Sequence, residues 1–269
     1  INLYDKSWDI IIIDLEDEYN FLKSEQSPSK SVGFKPSKNF QKVKHKVPML
    51  SLANAFNEED IKSFEKKIIN FLSLKDAKEI EYSVEPKIDG ISASLIYING
   101  KFVKGLSRGD GVEGEDITQN LKTIKDIPSS IIKKNFPVEI DIRGEVFIQN
   151  NDFKKIDHKF ANPRNAASGS LRQKDSKITN KIPLKFIAYT HGYVKGLKVD
   201  NQIDFLRNLK YWGFKVNPLN KKIAKIKDLI LNHKDLEKKR KIIPFDIDGV
   251  VYKINSLHLQ KRLGFAANA

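Results

Sequence analysis

Not one of the 269 residues is cysteine. That absence removes disulfide frameworks, thiolate zinc sites, iron–sulfur clusters and cysteine nucleophiles from the chemistry this chain offers. No apolar run approaches the roughly 18–20 residues that cross a bilayer. The Ile10–Ile13 patch is too short and too closely flanked by acids for a signal peptide. A soluble, cytoplasmic protein that does not engage a membrane is expected. Acidic charge is in deficit, with 34 Asp and Glu against 48 Lys and Arg. The resulting +14 points toward a polyanionic partner, nucleic acid or a nucleotide. The five histidines show no metal-ligand spacing, and no Ser–His–Asp set assembles from them. What remains is ordinary globular material, 40% hydrophobic and 10% aromatic, long enough for one large domain or two small ones.

Residues 1–33 read as a separate small unit, in which Trp8–Leu15 is apolar and the acidic stretch after it starts a short helix. Ser24–Lys38, rich in Ser, Lys, Pro and Gly, reads as a linker, with a domain boundary near Gly33 and a second domain over 34–269. Asn57 is placed to cap a helix whose first turn carries Glu58, Glu59 and Asp60, and Ile61, Phe64, Ile68 and Leu72 recur at helical spacing. From Glu79 the period falls to two, and Asn99-Gly100 predicts a tight hairpin between strands. Further strands are predicted at Pro137–Ile148, Leu184–Tyr193 and Gly249–Ile254, and helices at Ile203–Trp212, ending at Gly213, and Ile226–Arg240. Strands arrive in hairpins, so the fold class is α+β with mainly antiparallel sheet.

Several segments carry candidate chemistry. In Glu85-Pro86-Lys87-Ile88-Asp89-Gly90 an extended chain projects Glu85, Lys87 and Asp89 from one face, so two carboxylates flank one amine. A nucleophilic lysine needs an unprotonated fraction, and neighbouring acids alone work against that, so desolvation or cations brought by the substrate are required. Taken by spacing alone, a surface charge ladder on an edge strand that tolerates Pro86 explains the same residues. In Asp141-Ile142-Arg143-Gly144-Glu145 the charged residues again share a face, and Gly144 permits close approach of a ligand or backbone. Phe245–Asn255 runs from an acidic turn into an apolar strand bearing Lys253, which either reaches solvent or meets an anion. Arg164 and Arg172, among small residues, suit phosphate contacts or an ordinary helix surface. The Gly109–Gly114 loop matches neither a P-loop nor an EF-hand.

Taken in order, these segments resemble the adenylation domain of the bacterial NAD-dependent DNA ligases. The resemblance begins at Ser27-Pro28 and Ser31-Val32-Gly33 and takes in Val47-Pro48-Met49-Leu50-Ser51-Leu52, Lys87-Ile88-Asp89-Gly90, Ser107-Arg108-Gly109-Asp110-Gly111, Gly114-Glu115-Asp116-Ile117-Thr118 and Arg143-Gly144-Glu145-Val146-Phe147. It continues through Asn162-Pro163-Arg164-Asn165-Ala166-Ala167, Leu171-Arg172-Gln173, Asp246-Ile247-Asp248-Gly249-Val250-Val251 and Leu263-Gly264-Phe265. It implies a nucleotidyltransferase fold of the ATP-grasp-like, DNA ligase adenylation type, preceded by a small helical N-terminal subdomain. It implies that Lys87 attacks the α-phosphate of NAD, releases nicotinamide mononucleotide and holds AMP as a phosphoramidate for transfer to a 5′-phosphate at a nick in duplex DNA. By the same carry-over Glu85, Ser51 and Leu52 serve the adenine side and Glu145 the ribose. Arg108 and Lys253 serve the phosphates, and Asp89 and Asp248 position groups or meet magnesium. Arg164 and Arg172 contact nucleotide or DNA phosphate.

The resemblance also marks departures. The family captures the nicotinamide half through a Tyr/His/Asp/Tyr/Asp set in its N-terminal subdomain, of which residues 1–33 carry only a faint trace, so no nicotinamide contact is assigned. Family members have a longer stretch between Phe153-Lys154-Lys155-Ile156 and Phe160-Ala161-Asn162, so joined segments are expected there. The chain stops at Ala269, before the family's last adenylation lysine motif and before its OB fold, zinc finger, helix–hairpin–helix and BRCT parts. Zinc is expected only in those parts, and the lack of cysteine then reflects truncation. The expected piece is a monomer able at most to adenylate itself. An ATP-using ligase or capping-type nucleotidyltransferase shares Lys-x-Asp-Gly, and a non-catalytic basic module that binds nucleic acid is the reading from another class.

Overall fold

The computed structural model describes residues 2–4, 40–156 and 160–264. Its strands are β1 (Asn2–Tyr4), β2 (Lys42–Lys44), β3 (Asn54–Ala55), β4 (Tyr82–Ile88), β5 (Ile91–Ile98), β6 (Lys101–Ser107), β7 (Glu113–Glu115), β8 (Glu139–Phe147), β9 (Lys185–Lys195), β10 (Lys221–Ile223) and β11 (Ile247–Ile254). Its α-helices are α1 (Glu58–Leu72), α2 (Thr118–Leu121), α3 (Asn150–Phe153), α4 (Pro163–Leu171), α5 (Ser176–Thr179), α6 (Gln202–Tyr211), α7 (Ile226–Lys239) and α8 (Leu257–Leu263). One sheet runs β10-β4-β11-β1-β3 and a second runs β6-β5-β8-β9, while β2 and β7 form a ribbon. Pairing is antiparallel except between β1 and β3. The α+β, mainly antiparallel architecture is therefore as the hairpin spacing predicts. Beyond the strand at Asn2–Tyr4, the expected N-terminal unit, its linker and the boundary near Gly33 lie outside the described residues.

Local chemistry explains the clearest elements. Asn57 accepts from the Asp60 amide at 2.9 Å while the Asp60 carboxylate accepts from the Asn57 amide at 3.3 Å. This reciprocal cap starts α1 where the sequence predicts it. The Asn99-Gly100 turn has φ of 48° and 75°, the left-handed pair that a two-residue hairpin with native twist requires. Gly213, at φ 102°, follows the end of α6.

Two cores hold the sheets. Leu95, Tyr97, Ile140, Ile142 and Phe186 of the second sheet are buried with Phe205 and Leu209 of α6 and the nearby Trp212 and Phe214. Ile61, Ile68 and Leu72 of α1, Leu229 and Leu236 of α7 and Leu263 of α8 cover Tyr82, Val84, Val250, Tyr252 and Ile254 of the first. At about 25 cal/mol per Å², this burial is the main force that sets each sheet against its helices. A smaller cluster, Ile88, Phe147, Ile187, Ile243, Phe245 and Ile247, joins β4 and β11 to β8 and β9. Ile88 and Ile187 from this junction also line the cleft between the sheets.

Candidate active site

β10 covers β4 only from Tyr82 to Val84. Among the described residues that side of β4 has no strand partner beyond Val84, and Pro86, which has no N–H to donate, falls in the uncovered stretch. The edge strand that spacing alone suggested is thus an edge over only part of its length, because β10 covers it at Tyr82–Val84, while β11 pairs with its other side from Ile88 to Tyr82. The pairing slips between Ile247 and Gly249, leaving Asp248 as the extra residue of a bulge. A bulge re-aims a side chain, and here the Asp248 Oδ2 accepts from Lys87 Nζ at 2.5 Å. Burial pushes the Asp248 carboxyl above the usual aspartate range, against the pull of Lys87.

The expected Glu–Lys–Asp ladder does not form along the strand, because each charge takes a partner from another element. Glu85 accepts from Lys253 Nζ at 2.8 Å, Lys87 bonds Asp248, and Asp89 accepts from Arg164 at 2.7 Å. Lys253, in its apolar strand, therefore meets an anion and not solvent. Its Nζ also donates to the carbonyl of Tyr189 at 3.1 Å. Gly90 is forced by proximity, since a Cβ there would stand 2.4 Å from the Val146 carbonyl oxygen and 2.8 Å from Glu145 Cγ.

Asp141, Arg143 and Glu145 on β8 are all buried. Glu145 accepts from the Ser92 hydroxyl at 3.0 Å, and burial pushes its carboxyl up to about 7 against the pull of Arg164, Ser92 and Lys87. Gly144 admits Phe186 and the backbone of Ile187, which a Cβ would meet at 2.3 and 2.4 Å. Arg143 donates to Asp141 and, with its other N–H groups, to the carbonyls of Pro48 at 2.9 Å and Val47. One residue further along the same strap, Arg108 Nε donates to the Met49 carbonyl at 3.1 Å and Arg108 Nη2 to Ser51 Oγ at 2.9 Å. Two guanidinium forks thus fasten residues 47–51 across the cleft.

The result is a cavity of about 550 Å³ between the sheets, a size suited to a small-molecule ligand. Ser51, Leu52, Glu85, Lys87, Arg108, Glu145, Arg164, Asp248 and Lys253, all singled out from the sequence, line it. Asp89 is linked to it through Arg164. Arg172 instead borders an adjoining pocket of about 100 Å³ and pairs with Glu115 at 3.4 Å. Ser92, Arg143 and Tyr189 are lining residues that the motif reading left without a role. Tyr189 sits among β-strand alternation and gives no signal of its own. Among the described residues no group of three or more His, Cys, Asp or Glu side chains is placed to hold a metal.

The ordered segments that build this cleft match the family described as NAD-dependent DNA ligase adenylation domain over residues 37–269. The chain belongs to that family. The adenylation domain is 76% identical over 268 residues to a DNA ligase of Pelagibacter ubique (strain HTCC1062), covering 98% of this chain and 40% of that protein. It is 48% identical over 263 residues to a DNA ligase of Parvibaculum lavamentivorans, covering 95% of this chain and 37% of the relative. The adenylation domain thus spans about two-fifths of the length of these curated relatives. Among solved structures it is similar to a mycobacterial DNA ligase D complexed with ATP and MES, at a TM-score of 0.40 and 13% identity, over 65% of this chain and 49% of that one.

Proposed function

We propose that this domain charges itself with AMP from NAD. Lys87 Nζ forms a bond to the α-phosphorus, the bond to the oxygen bridging the two phosphates breaks, and nicotinamide mononucleotide leaves with the electron pair. The attacking species is the unprotonated amine of Lys87, and the one proton its Nζ sheds on forming the phosphoramidate passes to Asp248 Oδ2, which lies within hydrogen-bond reach and whose burial makes it a stronger proton acceptor than an exposed aspartate. The observation that carries this reading is the Lys87–Asp248 contact on the wall of a cavity that also gathers Glu85, Arg108, Glu145 and Arg164.

The remaining roles, Lys253 excepted, are those the resemblance implies, and the shared cavity lining supports them. Glu85, Ser51 and Leu52 face the base, and Lys253, tied to Glu85, joins that end although the resemblance implies phosphate contact. Glu145 takes the ribose. Arg108 and Arg164 stabilise charge on the transferring phosphoryl group. Asp248 Oδ1 is buried without a partner among the described residues, which fits magnesium, an ion held by one or two carboxylates with substrate phosphates and water. Magnesium at Asp248 would neutralise phosphate charge. In the longer protein the adenylate would pass to the 5′-phosphate of nicked duplex DNA, with Arg172 and the +14 charge favouring the polyanion. That protein would act in the cytoplasm as a monomer.

The test is the intact mass of purified protein, stripped of AMP with nicotinamide mononucleotide and incubated with magnesium and either NAD or ATP. Gain of one adenylate from NAD and none from ATP is expected. Gain from ATP alone would move the domain to the ATP-using ligases, and gain from neither would overturn self-adenylation.

A further inference from the structure

We propose that Gln202 is a specificity-determining positioning residue, the strut that makes the base end of the cavity select a 6-aminopurine over a 6-oxopurine. The inference rests on the nucleotide reading above and adds a residue that no motif contains. Gln202 is the first residue of α6 and is completely buried. Its Nε2 donates to Glu85 Oε1 at 3.0 Å and to the Tyr189 carbonyl at 2.7 Å. Both partners are acceptors, so the amide is fixed in one orientation, since a flip would set oxygen against two oxygens. Its own Oε1 has no partner among the described residues. The side chain is therefore held by what it donates.

Those two acceptors also hold Lys253, whose Nζ donates to Glu85 Oε2 and to the same Tyr189 carbonyl. Ser83 Oγ adds a third donor to Glu85, at 2.9 Å from Oε1. Three of about four carboxylate lone-pair sites are thus occupied, and the ammonium has one donor left of three. Glu85 and Lys253 both line the cavity. The base end consequently presents one acceptor beside one donor, in an order the network fixes. Adenine offers an amino donor beside the N1 acceptor, which matches. Hypoxanthine offers a carbonyl acceptor beside an N1–H donor, the reverse order. Without Gln202, Glu85 Oε1 keeps only Ser83 Oγ and the carboxylate is joined to the Tyr189 carbonyl through Lys253 Nζ alone, so the Glu85–Lys253 pair can turn together to accept either order.

Calorimetric titration of the domain with AMP and with IMP tests this without requiring catalysis. Wild type is expected to bind AMP at least tenfold more tightly than IMP. In Gln202→Met, which keeps length and removes the donor, that ratio is expected to fall toward one. A merely structural role would weaken both ligands equally and leave the ratio unchanged, and that result overturns the proposal while sparing the nucleotide reading. If Gln202→Met does not unfold cooperatively, Gln202→Asn, which keeps the amide but is one carbon too short to bridge Glu85 and the Tyr189 carbonyl, takes its place, and an unchanged ratio there overturns the proposal equally. Binding of neither nucleotide by wild type would overturn both readings, and failure of NAD labelling with the AMP preference intact would overturn only the catalytic one.

Discussion

Arg143 and Asp141 on β8 have side chains 9% and 8% exposed, whereas Lys87 and Asp248 across β4 and β11 are 31% and 22% exposed. Both are cation–carboxylate pairs on or beside the same cavity. The Arg143 guanidinium divides its N–H groups between Asp141 and two backbone carbonyls, and Asp141 also accepts from Ser94 Oγ at 2.5 Å. The site even excludes a methyl at Gly192, where a Cβ would stand 2.2 Å from Asp141 Oδ2. In the other pair, Asp248 Oδ1 has no partner among the described residues. A buried pair with satisfied hydrogen bonds is hard to disturb and holds the strap at residues 47–51. A half-buried pair with spare coordination can exchange a proton and meet a ligand. The same residue types therefore serve as scaffold or as chemistry according to how completely the protein satisfies them.

Substitution separates the two roles. Lys87→Ala is expected to lower adenylate incorporation by more than about a thousandfold, while unfolding free energy changes by less than about 1 kcal/mol because the pair is partly exposed. Intact mass and urea denaturation on the same sample check both halves. A destabilisation as large as that of Arg143 variants would erase the distinction. Arg143→Met is expected to cost about 3–5 kcal/mol, since Asp141 stays buried without its cation. Release of the Val47 and Pro48 carbonyls should also weaken AMP binding, which titration on the folded fraction would detect.

Glu145 sharpens the contrast through pH. Its carboxyl rises from the ordinary 4.5 to about 7, so between those values the folded protein holds a proton that the unfolded chain has lost. The contribution of this carboxyl to stability therefore declines as pH rises through this window and levels off above about 7. The full effect is roughly 3 kcal/mol. In Glu145→Gln that decline is expected to vanish, so the variant gains on wild type between pH 5 and 8. Parallel stability profiles for the two proteins would show that burial does not perturb this carboxyl.

Much of the architecture is legible from local signals. Asn57 with Asp60 starts α1, Asn99-Gly100 turns the hairpin, and Gly213 follows the last turn of α6, because caps and turns are settled by residues a few positions apart. Helix α4 is not among the predicted helices, although the structure caps it in the ordinary way with Asn162, whose side chain accepts from the Asn165 amide at 2.7 Å, and Pro163 following. The candidate site was legible as a set of residues and not as an arrangement. Residue spacing suggested that Glu85, Lys87 and Asp89 act on one another, whereas the partners of Glu85 and Lys87 lie 168 and 161 positions away. Gln202 lies just outside the helix predicted at Ile203–Trp212, and nothing in its type or neighbours reports that β9 and β4 lie behind it.

From the sequence alone came the fold class, the approximate spans of α1, α6 and α7, the Asn99-Gly100 hairpin and the inventory of reactive groups, since these depend on periodicity, caps and residue type. The tertiary structure alone decided which carboxylate faces which cation, through the β4–β11 register and the one-residue bulge at Asp248. The physical reason is distance along the chain. Long-range pairing is set by the collective packing of two sheets on their cores, so no local pattern contains it.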